Sequence, residues 1–223
     1  MRLFKPILAG GSLPDRLLAC LGATIGIGLT MLVCGRLHLG AADLPIIVAP
    51  LGASAVLAFA VPASPLAQPW SVIGGNTVSA VVGVAAWRLI PDVTVAAAVA
   101  VGGAILVMSL LRCLHPPGSA AALTAVIGGP AVHAAGFAFA LAPVALNSLA
   151  LAMLAIVFHR AGRHSYPHVP VALPPLPGRL HVQPADIDAA LEDMHESFDI
   201  AREDLDALLD HAARHAAERQ AGS

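Results

Sequence analysis

Apolar residues fill long stretches of this chain, and most charged residues lie at its two ends. Four of these stretches approach or exceed the roughly 20 residues that a helix needs to cross a lipid bilayer. They are residues 16–37, 72–90, 93–111 and 132–158. No Asp, Glu, Lys or Arg occurs from residue 44 to residue 87. The pattern predicts an all-α, polytopic helical membrane protein, because one small soluble core could not hide so much apolar surface.

Two further apolar stretches are short and interrupted by proline and glycine. Residues 44–61 contain Pro45 and Pro50, and residues 118–127 follow the adjacent Pro116 and Pro117. Proline lacks a backbone N–H and clashes with the preceding turn, so a helix must break there. Irregular backbone at membrane depth is tolerated only where it is buried in protein or lines a polar cavity. We therefore predict four full spans and two short, broken membrane helices.

The two short stretches resemble each other. The sequence Pro50-Leu-Gly-Ala-Ser-Ala matches Pro116-Pro-Gly-Ser-Ala-Ala, and a Val-Ile-Gly-Gly string follows each, at residues 72–75 and 126–129. This favours two units of three segments, which would form a 3+3 inverted repeat if every segment crossed the membrane. Paired interrupted segments in two such repeats indicate a binding site between them.

The charge distribution predicts the orientation. Only 12% of the residues are charged, against about 25% in soluble domains, and the formal net charge is −2. Basic residues precede the first span and follow the last one: Arg2, Lys5, Arg16, Arg160 and Arg163. The positive-inside rule then makes both termini cytoplasmic. Four spans with two re-entrant pieces and six crossings both satisfy this.

The chain is predicted to have three parts. Residues 1–160 form the transmembrane domain, 161–184 a linker rich in Pro and His, and 185–223 an amphipathic helical tail. Ile187 and Leu205 begin two apolar stripes at helical spacing, with acidic residues on the opposite faces. We expect a cytoplasmic helical hairpin that packs on another subunit or partner, or a solvated regulatory or assembly tail.

The broken helices offer a site for a negative ion. Amide N–H groups at a helix start, together with the macrodipole of about half a positive charge, attract anions. A helix starting at Pro116 or Pro117 would present the amides of Gly118, Ser119 and Ala120. One starting at Pro50 would present those of Gly52, Ala53 and Ser54. The predicted binding residues are Pro50, Gly52, Ser54, Asn76, Arg112, His115, Pro116, Pro117, Gly118 and Ser119.

Three of these residues add charge or polarity. Arg112 either attracts anions to the mouth of a pathway or extends from the membrane edge. His115 is either a neutral ring bonded to a carbonyl that the prolines free, or a titrating gate or proton relay. Asn76 is expected to line the same path. The spans lack paired carboxylates, a His-Glu-x-x-His motif and a Ser/Lys dyad. We therefore expect no catalytic residue, no metal site and no cofactor.

Three ordered motifs carry a resemblance to a known family. They are Arg112-Cys-Leu-His-Pro-Pro-Gly-Ser with Ala-Leu-Thr-Ala-Val-Ile-Gly-Gly ending at Gly129, Ala49-Pro-Leu-Gly-Ala-Ser-Ala-Val, and Ser64-Pro-Leu-Ala-Gln-Pro ahead of Val-Ile-Gly-Gly. The chain resembles the HPP family of integral membrane proteins. The family usually has Pro-Arg-Asn where this chain has Pro69-Trp-Ser, often His in place of Asn76, and commonly Gly in place of Ser119.

The resemblance implies a small polytopic transporter, since some members have been linked to nitrite transport. We expect a transporter or channel for a small inorganic anion, with nitrite as the leading candidate, in a bacterial inner membrane. The expected partners are that anion, the lipid bilayer and further copies of the chain, associating through the C-terminal helices, and not nucleic acid. The alternative is a membrane sensor or scaffold whose acidic C-terminal helices bind a cytoplasmic partner.

Overall fold

The computed structural model describes residues 13–37, 44–162, 165–169, 184–194 and 200–221. In these residues the secondary structure is helical throughout, which confirms the all-α prediction. The membrane domain contains α1 (Leu13–Leu37), α2 (Pro50–Ala60), α3 (Pro69–Leu89), α4 (Val93–Leu110), α5 (Pro116–Ile127), α6 (Pro130–Ala135) and α7 (Phe137–Arg160). Helix α7 is π-helical over Ala140–Ala145, around Pro143. The tail contains α8 (Pro184–Met194) and α9 (Arg202–Ala221).

The helix lengths match the predicted spans. Helices α1, α3, α4 and α7 are long and apolar enough to cross a membrane, and α2 and α5 are the two shorter apolar helices. Proline begins α2, α3, α5 and α6, where its missing N–H removes no helical hydrogen bond. Helix α4 begins instead after Asp92, whose carboxylate accepts a hydrogen bond from Val95 N at 2.9 Å.

Close contacts show the direction of α3, α4 and α5. A β-carbon at Gly75 would lie 2.5 Å from Cβ of His115, and one at Gly83 would collide with the Ala122 backbone. Positions therefore advance together along α3 and α5, and these two helices are parallel. Helix α4 runs the opposite way, because Met108 near its end lies beside the same Gly75.

The remaining helices follow the same alternation. The α1 residue Gly22 contacts Phe158 near the end of α7, so α1 and α7 are antiparallel. Helix α2 runs parallel to α7. Val48 N, just before α2, donates to Asn147 in the middle of α7, and Ala58 O, near the end of α2, accepts from His159 near the end of α7. Helices α3 and α7 are antiparallel: Asn76 bonds Ser148, and Arg88 lies 5.0 Å from the Phe137 ring centroid.

Helices α1, α2, α3, α4, α5 and α7 therefore alternate in direction. Two units result, α1–α3 and α4–α7, each with a long helix, a short one and another long one. This favours six crossings and the inverted 3+3 arrangement over re-entrant pieces. The start of α1 and the end of α7 lie at one end of the bundle, which we call the terminal end. The match between residues 72–75 and 126–129 is wrong as a sign of the repeat, because the first lies inside α3 and the second ends α5.

The tail lies partly within the described residues. An ion pair of 2.9 Å between Arg202 Nε and Asp188 Oδ1 joins α9 to α8. Ile187 is buried, whereas Leu208 of the second predicted stripe is 57% exposed. Of the predicted linker 161–184, residues 163–164 and 170–183 lie outside the described residues. Its described part is packed rather than extended away, since Tyr166 is buried and donates a hydrogen bond to Ala67 O at 2.7 Å.

The close approach of α3 and α5 gives a first prediction. Gly83→Ala should lower the stability of the purified protein by about 1–3 kcal/mol, the usual cost of overpacking, because its β-carbon would meet the Ala122 backbone. Gly102→Ala on α4 is the matched control, since nothing in the described part of the chain lies within 4 Å of its β-carbon position. Thermal unfolding in nanodiscs compares the two variants. Equal stability would contradict the close backbone packing.

Candidate functional site

His115 sits at the break between α4 and α5 and is completely buried. Its backbone is extended, at φ −144° and ψ 105°, which turns the chain into α5. Both ring nitrogens have partners: Nδ1 lies 2.8 Å from Leu66 O, and Nε2 lies 2.8 Å from Ser54 Oγ. One side chain thus joins α2, α5 and the segment between α2 and α3.

That segment, residues 61–68, is called the Pro-rich loop here. Its own side chains shape it, because Ser64 Oγ accepts from Leu66 N at 3.1 Å and Gln68 Nε2 donates to Pro62 O and Ser64 O, both at 2.9 Å. Ser71 Oγ also donates to Pro65 O at 3.0 Å. These bonds fix the direction of the Leu66 carbonyl toward His115.

Glycine brings α3 against the broken segment. A β-carbon at Gly75 would lie 2.7 Å from Cys113 O as well as against His115, and one at Gly118 would lie 2.8 Å from Gly75 O. Neither position has room for a side chain. The paired-glycine string of α3 and the glycine after the double proline are therefore required for the same contact.

The partners of His115 assign its protons. A carbonyl oxygen can only accept, so Nδ1 carries the hydrogen bonded to Leu66 O, and in the neutral ring Nε2 accepts from Ser54 Oγ–H. Asn76 Nδ2 donates to Ser54 Oγ at 3.1 Å and to Ser148 Oγ at 3.2 Å. The hydrogen bonds run in one direction, from Asn76 through Ser54 and His115 to Leu66. We call Ser54, Asn76, His115 and Ser148 the His115 cluster.

Helix α7 also holds the backbone that leads into α2. Asn147 Oδ1 accepts from Val48 N at 3.1 Å, and its Nδ2 donates to Ile46 O at 3.0 Å. The sequence alone predicts no role for Asn147 or Ser148. The available signal was two adjacent polar residues in the middle of an apolar span, one turn after Pro143.

The ten predicted binding residues do not all meet. Ser54, Asn76 and His115 belong to the cluster, and the carbonyl oxygen of the buried Pro50 lies 3.3 Å from Ser54 Oγ, whose single hydrogen is directed to the closer His115 Nε2. Pro117 and Gly118 are buried beside the cluster, Ser119 is half-buried and Pro116 is exposed. Gly52 is exposed, and no atom of the described residues lies within 4 Å of its β-carbon position, so it faces away from the cluster.

The helix-start amides differ from the prediction. Gly118 N donates to His115 O at 2.8 Å, and Gly52 N donates to Ala49 O at 3.0 Å. The prediction that these two amides are free for an anion is therefore wrong. A tight turn just before each helix supplies an acceptor of its own, and Pro116 and Pro117 have no N–H. Any ligand of the cluster must therefore bind side chains in addition to backbone amides.

Arg112 lies at the end of α4, exposed to the surroundings. Arg112 N bonds Ser109 O at 3.2 Å and Cys113 N bonds Met108 O at 2.9 Å, the two bonds of a Schellman motif. Arg112 takes the left-handed position of that motif, with φ 53°. Glycine is usual there, so Arg112 keeps its place at a conformational cost. Trp70 Nε1 donates to Leu111 O beside it, at 3.2 Å.

The end of the bundle opposite the terminal end, called the far end here, carries a group of aromatic side chains. The Trp87 and His133 rings stack with centroids 4.1 Å apart, and Arg88 lies over Phe137. His133 Nε2 bonds Val126 O at 3.0 Å. These contacts join the end of α3 to α5, α6 and α7. They lie at the opposite end of α3 from Trp70.

The described part of the linker contacts the Pro-rich loop, and α9 of the tail contacts the linker. His168 N donates to Gln68 Oε1 at 2.9 Å, and His168 Nε2 lies 2.8 Å from Asp204 Oδ1 of α9. Burial raises the pKa of the Tyr166 hydroxyl, so it stays protonated and donates to Ala67 O. Two successive carbonyls of the loop, Leu66 O and Ala67 O, thus bind His115 on one side and Tyr166 on the other.

The proton assignment of His115 gives a second prediction. In 15N NMR spectra of the histidine-labelled protein in bilayers at neutral pH, His115 should show a protonated Nδ1 and an unprotonated Nε2. The signals lost in His115→Gln identify it among the ten histidines of the chain. Ser54→Ala should shift the Nε2 signal, because its hydrogen-bond donor is removed. A protonated Nε2 with a bare Nδ1 would contradict the assigned direction.

Two transmembrane proteins of Dictyostelium discoideum are similar in sequence to this chain. One is 39% identical over 131 residues, covering 56% of this chain and 46% of the relative. The other is 40% identical over 120 residues, covering 52% and 38%. The chain therefore spans less than half the length of these curated relatives. No solved structure matches it.

A family profile covers most of the chain. The profile described as "HPP, transmembrane region" matches residues 9–167. This range holds all three motifs and every residue of the His115 cluster. It also extends past α7 to Tyr166, whose hydroxyl holds the Pro-rich loop. The chain belongs to the HPP family of transmembrane proteins.

Proposed function

We propose that this protein is a membrane transporter or channel for a small inorganic anion, with nitrite as the leading candidate, and that the ion passes the His115 cluster. The observation that carries the proposal is a fully buried, uncharged polar cluster where the two units of the bundle meet. Polar groups inside membrane bundles are costly and typically mark a substrate pathway. Nitrite itself comes from the family resemblance.

The chemistry of the cluster suits weak binding of a monovalent ion. Hydroxyl and amide groups can replace part of a hydration shell, and conduction needs binding that is easily reversed. The arginines of the described membrane helices and of the turn at residue 112 are all exposed: Arg16, Arg36, Arg88, Arg112 and Arg160. A fixed positive charge beside the cluster would hold an anion too tightly.

The proposed location is a bacterial inner membrane, with both termini cytoplasmic. Trp70 and Trp87 near the two ends of α3 are 17 positions apart, or about 26 Å at 1.5 Å per residue, close to the roughly 30 Å hydrocarbon thickness. Arg16, Arg112 and Arg160 lie toward the terminal end of the bundle, against Arg36 and Arg88 at the other end. The positive-inside rule supports this orientation.

A second candidate function is a membrane sensor whose acidic tail binds a cytoplasmic partner. The contact of Asp204 with His168 supports it, because it brings α9 to the loop that holds His115. Leu208 and Leu209 of α9 are 57% and 39% exposed, which offers an apolar face for a further copy of the chain. We therefore keep homo-oligomer formation through the tail as part of this proposal.

Flux measurements test the two functions. In proteoliposomes, His115→Ala should reduce nitrite uptake to background, because Ser54, Asn76 and Leu66 O lose the side chain that orders them. His133→Ala is the matched control, since His133 also bonds a backbone carbonyl but lies at the far end of the bundle. It should keep uptake near the wild-type rate. A chain ending at Pro184 should also keep it, if transport belongs to the bundle.

The opposite results are equally clear. Uptake by folded His115→Ala at the wild-type rate would exclude a pathway through the cluster. Absence of flux for nitrite, nitrate, formate and chloride in the wild type would exclude the transporter function. If the wild type transports nothing and the shortened chain loses its cellular phenotype, the sensor function is favoured.

Arg112 gives a separate prediction, because Arg112→Gly removes both its charge and its backbone strain, whereas Arg112→Lys keeps both. Arg112→Gly should raise stability by about 1 kcal/mol by removing the left-handed strain. It should also raise the KM for nitrite at low ionic strength, because a positive charge at the mouth attracts anions. Arg112→Lys should keep the wild-type KM. If Arg112→Gly also keeps that KM, Arg112 is only a membrane-edge residue.

A further inference from the structure

Helix α7 is irregular in its first turns, toward the far end of the bundle. Among the described residues, π-helical backbone occurs only at Ala140–Ala145, around Pro143. Proline has no N–H, so Pro143 cannot donate the bond to Phe139 O that an α-helix would contain. Helices usually bend at prolines and π-helical turns, and π-helical turns often occur at functional sites.

A second break lies just before, at Gly136. This residue ends α6 and begins α7. Its φ of 54° and ψ of −129° form a backbone conformation that residues with a side chain rarely adopt. Phe137–Phe139, the first turn of α7, therefore lies between two irregular points of the backbone. We call it the Phe139 turn.

Phe139 fills the bundle between the His115 cluster and the far end. Its side chain is the largest fully buried one among the described residues. It belongs to one buried apolar core with Val84 of α3 and Val144 of α7. Along α7 it lies between Ser148, which belongs to the cluster, and Phe137, which contacts Arg88 at the end of α3. These apolar side chains occupy the space that an ion would cross.

The His115 cluster is closed toward the terminal end as well. The Pro-rich loop covers it there, through the bond between Leu66 O and the His115 ring. All four side chains of the cluster are completely buried. The conformation is therefore occluded, and a transported ion can enter or leave only if part of the bundle moves.

Helices α3, α4 and α5 are packed too closely to be that part. A β-carbon at Gly83 would collide with the Ala122 backbone, and one at Gly103 of α4 would lie 3.2 Å from Val82. Closely packed interiors resist compression, so these three helices move together or not at all. The Phe139 turn is joined to its neighbours by irregular backbone on both sides. It is the element that can move by itself.

Arg88 of α3 lies across the Gly136 break. Its Cζ is 5.0 Å from the Phe137 ring centroid, and a β-carbon at Gly136 would collide with its guanidinium group. A guanidinium over an aromatic ring is attracted by the charge distribution of the ring. Since Phe137 is 42% exposed, this contact links the surface of the Phe139 turn to the fixed end of α3.

We propose that the Phe139 turn is the far-end gate of the ion pathway, with Gly136 and the π-helical stretch as its hinges and Arg88 holding it closed. This inference rests on the proposed transport function and identifies the element that separates the His115 cluster from the far side of the membrane. Opening bends α7 at Pro143 and withdraws the Phe139 ring from the core. Ser148 keeps its bond to Asn76, because it lies beyond the hinge.

Distances between spin labels in nanodiscs test the movement without requiring transport. The labels are attached through Ala138→Cys in the Phe139 turn and Val93→Cys at the start of α4, both exposed positions. The chain also carries Cys20→Ser, because Cys20 is the exposed native thiol. The pair should give two distances, and Arg88→Gln should raise the population of the one that differs from this structure by about twofold or more. A control pair of Val93→Cys with Ile127→Cys on α5 should give one distance throughout.

Nitrite uptake into proteoliposomes tests the blocking side chain. Phe139→Leu should raise the uptake rate by about threefold or more, because a smaller side chain lowers the barrier to passage. Phe59→Leu is the matched control, since Phe59 is a buried phenylalanine of the same core, between Gly22 and Phe158 toward the terminal end. It should keep the wild-type rate. Phe139→Met takes the place of Phe139→Leu if the latter does not fold.

The outcomes separate the gate from the transport function. One identical distance for the labels at Ala138 and Val93, with and without Arg88→Gln, would overturn the gate even if nitrite is transported. Equal uptake rates in folded Phe139→Leu and Phe59→Leu would overturn the role of Phe139. A wild type that transports none of nitrite, nitrate, formate and chloride would refute the transport function. The distances would then still show whether the Phe139 turn moves.

Discussion

A helix broken inside a bilayer must satisfy its freed backbone groups within the protein, because no water is available there. His115 meets this requirement at the break before α5. Its carbonyl accepts the first amide of α5 that carries a hydrogen, that of Gly118, and its ring joins α2 to the Pro-rich loop. Each of the three family motifs supplies one part: Ser54, the Leu66 carbonyl, and His115 itself. The motifs are thus the components of one buried junction.

The two breaks of the bundle are held by different means. Before α2, the Asn147 side chain bonds the backbone on both Val48 and Ile46. Before α5, His115 and the close packing of Gly75 take that place. Asn147 cannot change its charge, whereas an imidazole can. The inverted units are therefore alike in path but not in chemistry, and among the described residues of the two breaks only the second carries a group able to respond to protons.

Much of this fold followed from local sequence physics. Membrane-length apolar stretches and proline positions predicted the four long helices and both short ones, and the prolines at residues 50 and 116 begin the helices as expected. Partners distant in sequence could not be predicted: Asn147 and Ile46 are 101 positions apart. The two Val-Ile-Gly-Gly strings also gave a wrong sign of the repeat, because residues 72–75 pack inside α3 whereas residues 126–129 end α5. The prediction of free amides was wrong at Gly118 and Gly52 because the carbonyls of His115 and Ala49 already accept their hydrogen bonds. Side-chain patterns do not reveal such backbone contacts.

The tail and the cluster are connected by an unbroken series of polar contacts. Asp204 binds His168, whose backbone binds Gln68, and Gln68 holds the Ser64 carbonyl of the loop that presents Leu66 O to His115. A loop fixed from both sides cannot shift at one side without straining the other. Movement of α9 would therefore act on the carbonyl that keeps Nδ1 of His115 protonated. The proposed transport through the bundle and the proposed sensing by the tail are then compatible with each other, because both would depend on the position of the same loop.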